Sequence, residues 1–419
     1  MRERIKAIGS VLGEQLGKRL GRGKNDVHLG EPGFLKQVLR RERLESVFLF
    51  VTSRCNARCK TCFYVGENAK GEDLSLEQIR RISETGPAFD KLWLSGGEPF
   101  LREDLVEIIE TFHRNNAVKS INLPTNGLLG GRVEEVIARL LDSCPELNIL
   151  LNFSVDGLGE THDRVRGVPG NFQKVMASIA RIEERFGRHP KLHVNIATVV
   201  TPDAYGEMFD LGLYLLKRFD KVATHFYETV RGDPRDPSVK RLGRADLELL
   251  HERLMPLYEV MGERLFGELP AAARWFAKMY FVGVIGFAYG LQERNVEKPH
   301  PWGMKCTAGT TTAVIDHNGA FRACEMRPRI GRLQDFDFDL SAALKSRAMR
   351  DEIDAIGGGF KAGCWCTHTC WVLASMQFSP RTLLLRIPWA YARYRLRRPA
   401  SIDLRTASPT VSMAGAQGT

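Results

Sequence analysis

From residue 47 onward, short apolar runs alternate with segments whose apolar residues recur at helical spacing. The runs at 47–51, 91–95, 119–123, 148–155, 192–200 and 222–229 predict strands. The segments 76–86, 101–115, 132–143, 171–187 and 204–218 between them, and 244–264 after the last, predict helices. Strands that alternate with helices argue for parallel βαβ units. Six such units suit an incomplete (β/α)6 barrel better than an eight-fold one. The fold class expected is therefore α/β.

Four further regions flank or follow the 46–265 barrel. In 1–45, Ile5, Ile8, Leu12 and Leu16 recur at helical spacing among basic residues, and Gly9, Gly13 and Gly17 weaken that helix. The segment reads either as a frayed terminal helix or as a surface-seeking amphipathic one. In 266–305, Ala271 to Leu291 is strongly apolar, but Arg274 and Lys278 leave too short an uncharged run to span a bilayer. It reads either as a buried connector helix or as a greasy channel or membrane-facing surface, with 279–291 as the facing stretch. In 306–376, 312–316 and 320–324 read as a hairpin around an Asn318-Gly319 turn, and 339–356 as a helix. In 377–419, residues 381–398 mix six arginines with Leu383, Leu384, Leu385, Ile387, Trp389, Tyr391, Tyr394 and Leu396, without one acid. Cations among interfacial aromatics suit an anionic membrane surface; the other reading packs this tail across the barrel. The last stretch, 400–419, is rich in small and polar residues and predicts disorder.

Composition narrows the class. A hydrophobic fraction of 43% in 419 residues is that of a folded globular protein. The start, Met-Arg-Glu-Arg-Ile, has no uninterrupted apolar core, so no signal peptide is expected. Eight of the nine cysteines fall in two groups and Cys144 stands alone, which reads as metal ligation in a reducing cytoplasm rather than a disulfide framework. The net charge of +10 suits nucleic acid, an anionic membrane, an acidic peptide or a merely solvated basic surface.

The chemistry starts at Cys55, Cys59 and Cys62, spaced C-x3-C-x2-C on the loop leaving the first strand. Three thiolates in one short loop can hold an iron–sulfur cluster. In a [4Fe–4S] cluster they leave one iron open to a chelating ligand. A zinc site or reduced structural cysteines are the alternatives, although zinc usually takes four closed ligands. Gly96, Gly97 and Glu98, then Asn126, then Ser154 and Asp156, fall at later carboxyl strand ends. That is the face on which parallel barrels build active sites.

This ordered set resembles the radical S-adenosylmethionine (SAM) superfamily. The triplet is similar to its cluster signature, Ser95-Gly-Gly-Glu-Pro99 to its GGEP motif, and Thr125-Asn-Gly127 and Ser154-Val-Asp-Gly157 to later elements. The resemblance implies a partial (β/α)6 TIM-like barrel and SAM chelated at the open iron. It implies Glu98 as acceptor for the methionine ammonium, with Gly96 and Gly97 permitting close backbone approach. By the same resemblance Ser154 and Asp156, with Asn126, lie on the nucleoside side, and Arg166 pairs SAM's carboxylate. Thr61 stands where many members have an aromatic residue, which leaves the adenine contact open. The reaction implied is reductive cleavage of SAM to a 5′-deoxyadenosyl radical that takes a substrate hydrogen, with a flavodoxin- or ferredoxin-like electron donor.

The late cysteines resemble the SPASM/twitch extension: Cys306, Cys324, Cys364, Cys366 and Cys370. Five suffice for one auxiliary [4Fe–4S] cluster with one to spare, most plausibly Cys306, Cys324, Cys366 and Cys370; zinc is the competitor. The expected unit is a small twitch-like β-hairpin/helix iron–sulfur domain. Glu325 sits where some relatives place an acid that takes a substrate proton; its other reading is a surface carboxylate at a hairpin end. The substrates implied are a peptide, sugar or lipid-linked molecule, undergoing oxidation, epimerisation or crosslinking. A non-catalytic iron–sulfur scaffold and a nucleic-acid-modifying enzyme are the other classes. The first would have lost the triplet or Glu98, and the second lacks a recognisable RNA-binding module. The expected location is the cytoplasm, with peripheral contact at the inner membrane face as a further option.

Overall fold

The computed structural model describes residues 42–357, 364–397, 402–404 and 407. The N-terminal stripe Ile5–Leu16 and most of the 400–419 stretch lie outside the described residues.

The expected alternation is present. Strands β1 (Ser46–Thr52), β2 (Lys91–Gly96), β3 (Ser120–Thr125), β4 (Asn148–Ser154), β5 (Leu192–Val199) and β6 (Val222–Glu228) pair in parallel, each with the next. Between them run α1 (Leu76–Thr85), α2 (Leu105–Asn116), α3 (Gly130–Ser143), α4 (Gly159–Arg166), α5 (Asn171–Phe186) and α6 (Met208–Arg218). Every residue of β1 is buried, as expected for a strand covered on both faces. The apolar faces of the helices, such as Ile79 and Ile82 of α1 and Val133, Val136, Ile137 and Leu140 of α3, cover the sheet.

The late hairpin is not set apart from the barrel. β7 (Thr312–Ile315) pairs in parallel with β1, and β8 (Ala320–Arg322) and β9 (Gly331–Arg332) add antiparallel strands. The result is one nine-stranded sheet, ordered β6-β5-β4-β3-β2-β1-β7-β8-β9. Gly319 in the turn takes φ +85°, which an L side chain resists. The triplet loop leaves the carboxyl end of β1, whereas Cys306 precedes β7 and Cys324 follows the antiparallel β8, towards the amino end of the same strands.

After the barrel, α7 (Arg244–Phe266) and α8 (Ala271–Asn295) pack as a pair. Residues 279–285, 287–289 and 291 of α8 are buried. This corrects the reading of 279–291 as a membrane-facing surface. The expected 339–356 helix is split into α9 (Leu340–Leu344) and α10 (Arg347–Ile356), because Ser346 breaks the run and caps α10 through Met349 N–H. The last elements among the described residues are α11 (Thr369–Met376), a wide π turn (Thr382–Arg386) and α12 (Ile387–Leu396). Pro388 in the first turn of α12 has no N–H to continue a regular ladder.

Candidate active site

The cysteine triplet lies on the loop after β1, at the carboxyl edge of the sheet. Two neighbouring turns hold it by backbone bonds. Gly97 N–H donates to Thr52 O at 2.8 Å and Glu98 N–H to Arg54 O at 2.9 Å. Arg58 N–H and Lys60 N–H donate to the carbonyls of Arg166 and Val165 at the end of α4. A Cβ on Gly97 would stand 1.9 Å from Arg54 O, and one on Gly96 (φ +125°) 2.2 Å from Thr52 O. The two glycines thus let the β2 turn close onto the cysteine loop itself.

Glu98 is buried beneath that loop. Its carboxylate accepts from Asn126 N–H at 2.8 Å and Phe100 N–H at 3.3 Å. Burial pushes its pKa up to about 7, against the pull of those bonds and of the Thr125 hydroxyl. Asn126 also donates through its side chain to Asn56, inside the cysteine loop, at 2.7 Å. Asp156 accepts from Val199 N–H at 2.8 Å and lies 3.4 Å from Arg166. Arg166 donates to the Cys59 sulfur at 3.2 Å. Its guanidinium is therefore engaged by Asp156 and a cysteine of the triplet. Ser154 ends β4 on the same rim, half-buried.

The thiols fit a cluster. Partial burial, with the charges of Cys59, Glu98 and Cys62, raises Cys55 to about 11. Burial and the Cys59 charge raise Cys62. Sulfurs that oppose one another's ionisation are relieved by a cationic iron centre, and the Arg166 charge acts in the same sense on Cys62.

The second set gathers around the hairpin. Burial raises all five thiols, with Cys366 and Cys370 pushed up to about 12. Among the groups opposing ionisation of Cys324 are Cys366 and Cys306, and among those opposing Cys366 are Cys364 and Cys306. The foremost charged neighbours of Cys370 are instead Glu228, Arg231 and Glu325. The ligand atoms of Cys324, Glu325 and His368 lie within 4.8 Å of one another, a mixed donor set that a single metal ion could also use.

Glu325 is buried, which overturns its reading as a surface carboxylate. Its Oε2 accepts from Trp371 Nε1 at 2.7 Å, and its Oε1 lies 3.2 Å from His368 Nε2 and 3.8 Å from Arg231. Burial raises its pKa, opposed first by the Arg231 charge. Arg231 donates to His368 Nε2 and stacks 5.6 Å over the Phe63 ring, next to Cys62. The loop after β6 so bridges the two cysteine sets: Arg235 N–H donates to Cys62 O and Asp236 N–H to Lys60 O. Sequence reasoning missed Arg231, His368 and Trp371. Arg231 follows β6 at the functional strand edge, and His368 lies between two cysteines; those positions were the available signals.

Crowded thiols at the mouth of a parallel β/α sheet make this molecule an iron–sulfur protein of the partial-barrel class. Residues 49–247 match the family model of the radical SAM superfamily, so this stretch of the chain is a radical SAM domain. A [4Fe–4S] cluster and SAM are its cofactors, and the residues around the triplet fit them. The chain is 33% identical over 144 residues to a probable GTP 3′,8-cyclase of Methanococcus maripaludis, covering 34% of this chain and 46% of that one. It thus spans less than half the length of that relative. It is 25% identical over 312 residues to a GTP 3′,8-cyclase of Desulforamulus reducens (73% and 86% covered). A pre-heme d1 synthase of Dinoroseobacter shibae is 31% identical over 139 residues, 32% of each chain. Among solved structures, anSMEcpe with bound AdoMet superposes with TM-score 0.54 at 18% identity, over 84% of this chain and 97% of that one, a likeness of fold. A further structure of anSMEcpe holds AdoMet and a peptide, with TM-score 0.52 at 16% identity, over 83% of this chain and 99% of that one.

Proposed function

We propose that this chain is a radical SAM oxidoreductase that removes one hydrogen atom from a peptide substrate and passes a second hydrogen, as a proton, to Glu325. Bound at the triplet cluster, SAM supplies one-electron cleavage and with it the abstraction of a substrate hydrogen atom. The protein's own part is to position and to shield. Arg166 and Asp156 fix Cys59 and the loop around it. Gly96, Gly97 and Glu98 lock the β2 turn against that loop, with Asn126 and Ser154 on the adjacent rim.

The observation that carries the reading is the Arg231 bridge. It sets a buried acid, Glu325, between the triplet loop and the late cysteines, with Phe63 on one side and Trp371 on the other. A carboxylate buried there, its pKa raised by that burial, suits proton acceptance. The late cysteines would hold an auxiliary [4Fe–4S] cluster able to take the second electron of the oxidised substrate, and a flavodoxin- or ferredoxin-like donor would supply the electron for SAM cleavage at the triplet. The peptide found with AdoMet in anSMEcpe supports the substrate class. The relatives named GTP 3′,8-cyclase make a guanine nucleotide the second candidate. For location, the proposal is the cytoplasm, in reversible contact with the inner membrane face.

Glu325→Gln is the test. The expected variant keeps its iron, binds SAM and releases 5′-deoxyadenosine with substrate present, but its yield of oxidised product falls about 100-fold or more, within the usual worth of a general base. Product formation at the wild-type rate would remove Glu325 from the mechanism. Running the assay with peptides and with GTP separates the two substrate classes.

A further inference from the structure

We infer that the C-terminal helix and the start of α8 form a docking surface for an anionic lipid bilayer. Of the seven large hydrophobic side chains exposed among the described residues, all but Leu249 lie on the start of α8, the π turn or α12: Trp275, Phe276, Leu384, Leu385, Trp389 and Leu396. Trp389 is 64% exposed, Leu385 63% and Leu396 76%. The final helix therefore has two apolar sides. One is already used: Ile387 is buried, and Tyr391 and Tyr394 are half-buried against the α7–α8 pair. Gly283 makes that approach possible, since a Cβ there would stand 2.6 Å from Ile387 O. The other side carries Leu385, Trp389, Arg393, Leu396 and Arg397, spaced so that they share one helical face.

The two elements meet at Glu259 of α7. Lys278 of α8 lies 2.9 Å from it and Arg395 of α12 3.5 Å. Trp275 lies about one turn before Lys278 and Leu396 directly follows Arg395, so both flank this meeting point. An outward tryptophan and leucines beside exposed Arg381, Arg393 and Arg397 match what partitions into a headgroup region. The charge selects the occupant. The outward face carries exposed Arg381, Arg393 and Arg397, and residues 381–398 contain no acid, so the complementary surface is negative and apolar just beneath, which describes an anionic bilayer. No helix among the described residues is long and apolar enough to cross a membrane, so the contact is peripheral.

This inference deepens the proposed location and is independent of the radical chemistry. The test is sedimentation of the full-length, cluster-loaded protein with phosphatidylglycerol/phosphatidylcholine vesicles and with phosphatidylcholine alone. Wild type is expected to bind the anionic vesicles, and to release as salt rises towards 1 M. Each basic residue near such a surface is worth about fivefold in partitioning. Arg393→Glu with Arg397→Glu should therefore weaken binding at least ~25-fold. Leu385→Ser with Trp389→Ser and Leu396→Ser should weaken it at least tenfold while iron content and SAM cleavage in solution stay at wild-type values. Equal binding to neutral vesicles, no binding at low salt, or variants that bind like wild type would overturn the inference. So would a concentration-dependent dimer abolished by the leucine and tryptophan changes, because the face would then be covered by a second copy. If iron and SAM cleavage are absent from wild type as well, the radical SAM reading fails while the vesicle result still decides the surface.

Discussion

Arg166 ties two acidic or sulfur groups to one cation in a buried place, and removing it has a calculable consequence. Arg166→Gln leaves Asp156 buried without its counter-charge. Breaking one partner of a buried pair costs about 3–5 kcal/mol, so denaturant midpoints should fall accordingly and SAM affinity with them. A midpoint within error of wild type would show that Asp156 finds another partner. Two histidines give a pH dependence. Burial holds His162 and His225 down to about 3, and His162 Nδ1 accepts from Asp156 N–H, which requires the neutral ring. In the unfolded chain each binds a proton near pH 6.5, while in the folded chain each stays neutral until about pH 3. The folded state therefore loses stability as pH falls through 6.5, by about 1.4 kcal/mol per unit for each histidine, and the loss is complete near pH 3. Ring resonances that keep their neutral-form shifts from pH 8 to 5 would bear this out. Titration near 6.5 would contradict it.

At the scale of elements, the β1 loop and the β2 turn behave as one piece. Gly97→Ala would drive a methyl group into Arg54 O, so the triplet loop should shift and its cluster should be lost. The late cysteines should keep theirs, since β7 and β8 do not depend on that turn. Iron falling by half confirms this; full iron content would mean that the turn can yield. Much of this was legible beforehand. Strands buried on both faces show as unbroken apolar runs, and Gly96 and Gly97 announce a close approach. Helix α4 was not legible, because Gly-Glu-Thr-His-Asp-Arg-Val-Arg has almost no apolar periodicity. It is held by tertiary bonds, with Asp163 accepting from the Gly170 and Phe172 amides and so fixing the entry to α5. The burial of Glu325 was hidden for a related reason. It depends on Trp371, 46 residues further along, and on Arg231 from the barrel, and no local pattern announces either partner.

For the whole molecule, β1 is the common member of two parts that the sequence presents as successive domains. It pairs with β2 on one side and β7 on the other. Tyr64, just after the triplet, reinforces the join through its hydroxyl at 2.5 Å from His317 Nδ1 in the hairpin turn. Both cysteine sets are thus attached to one sheet, the triplet at the carboxyl end of β1 and Cys306 and Cys324 at the ends of β7 and β8 that pair near its start. The central claim is that Cys55, Cys59 and Cys62 hold the cluster that cleaves SAM while the late set holds another. The most direct measurement is iron content together with 5′-deoxyadenosine release, under anaerobic reduction, for wild type and for Cys55→Ala/Cys59→Ala/Cys62→Ala. The account predicts about eight irons with SAM cleavage in wild type, and about four irons with none in the variant, if each cluster has four. A variant that still releases 5′-deoxyadenosine would contradict it.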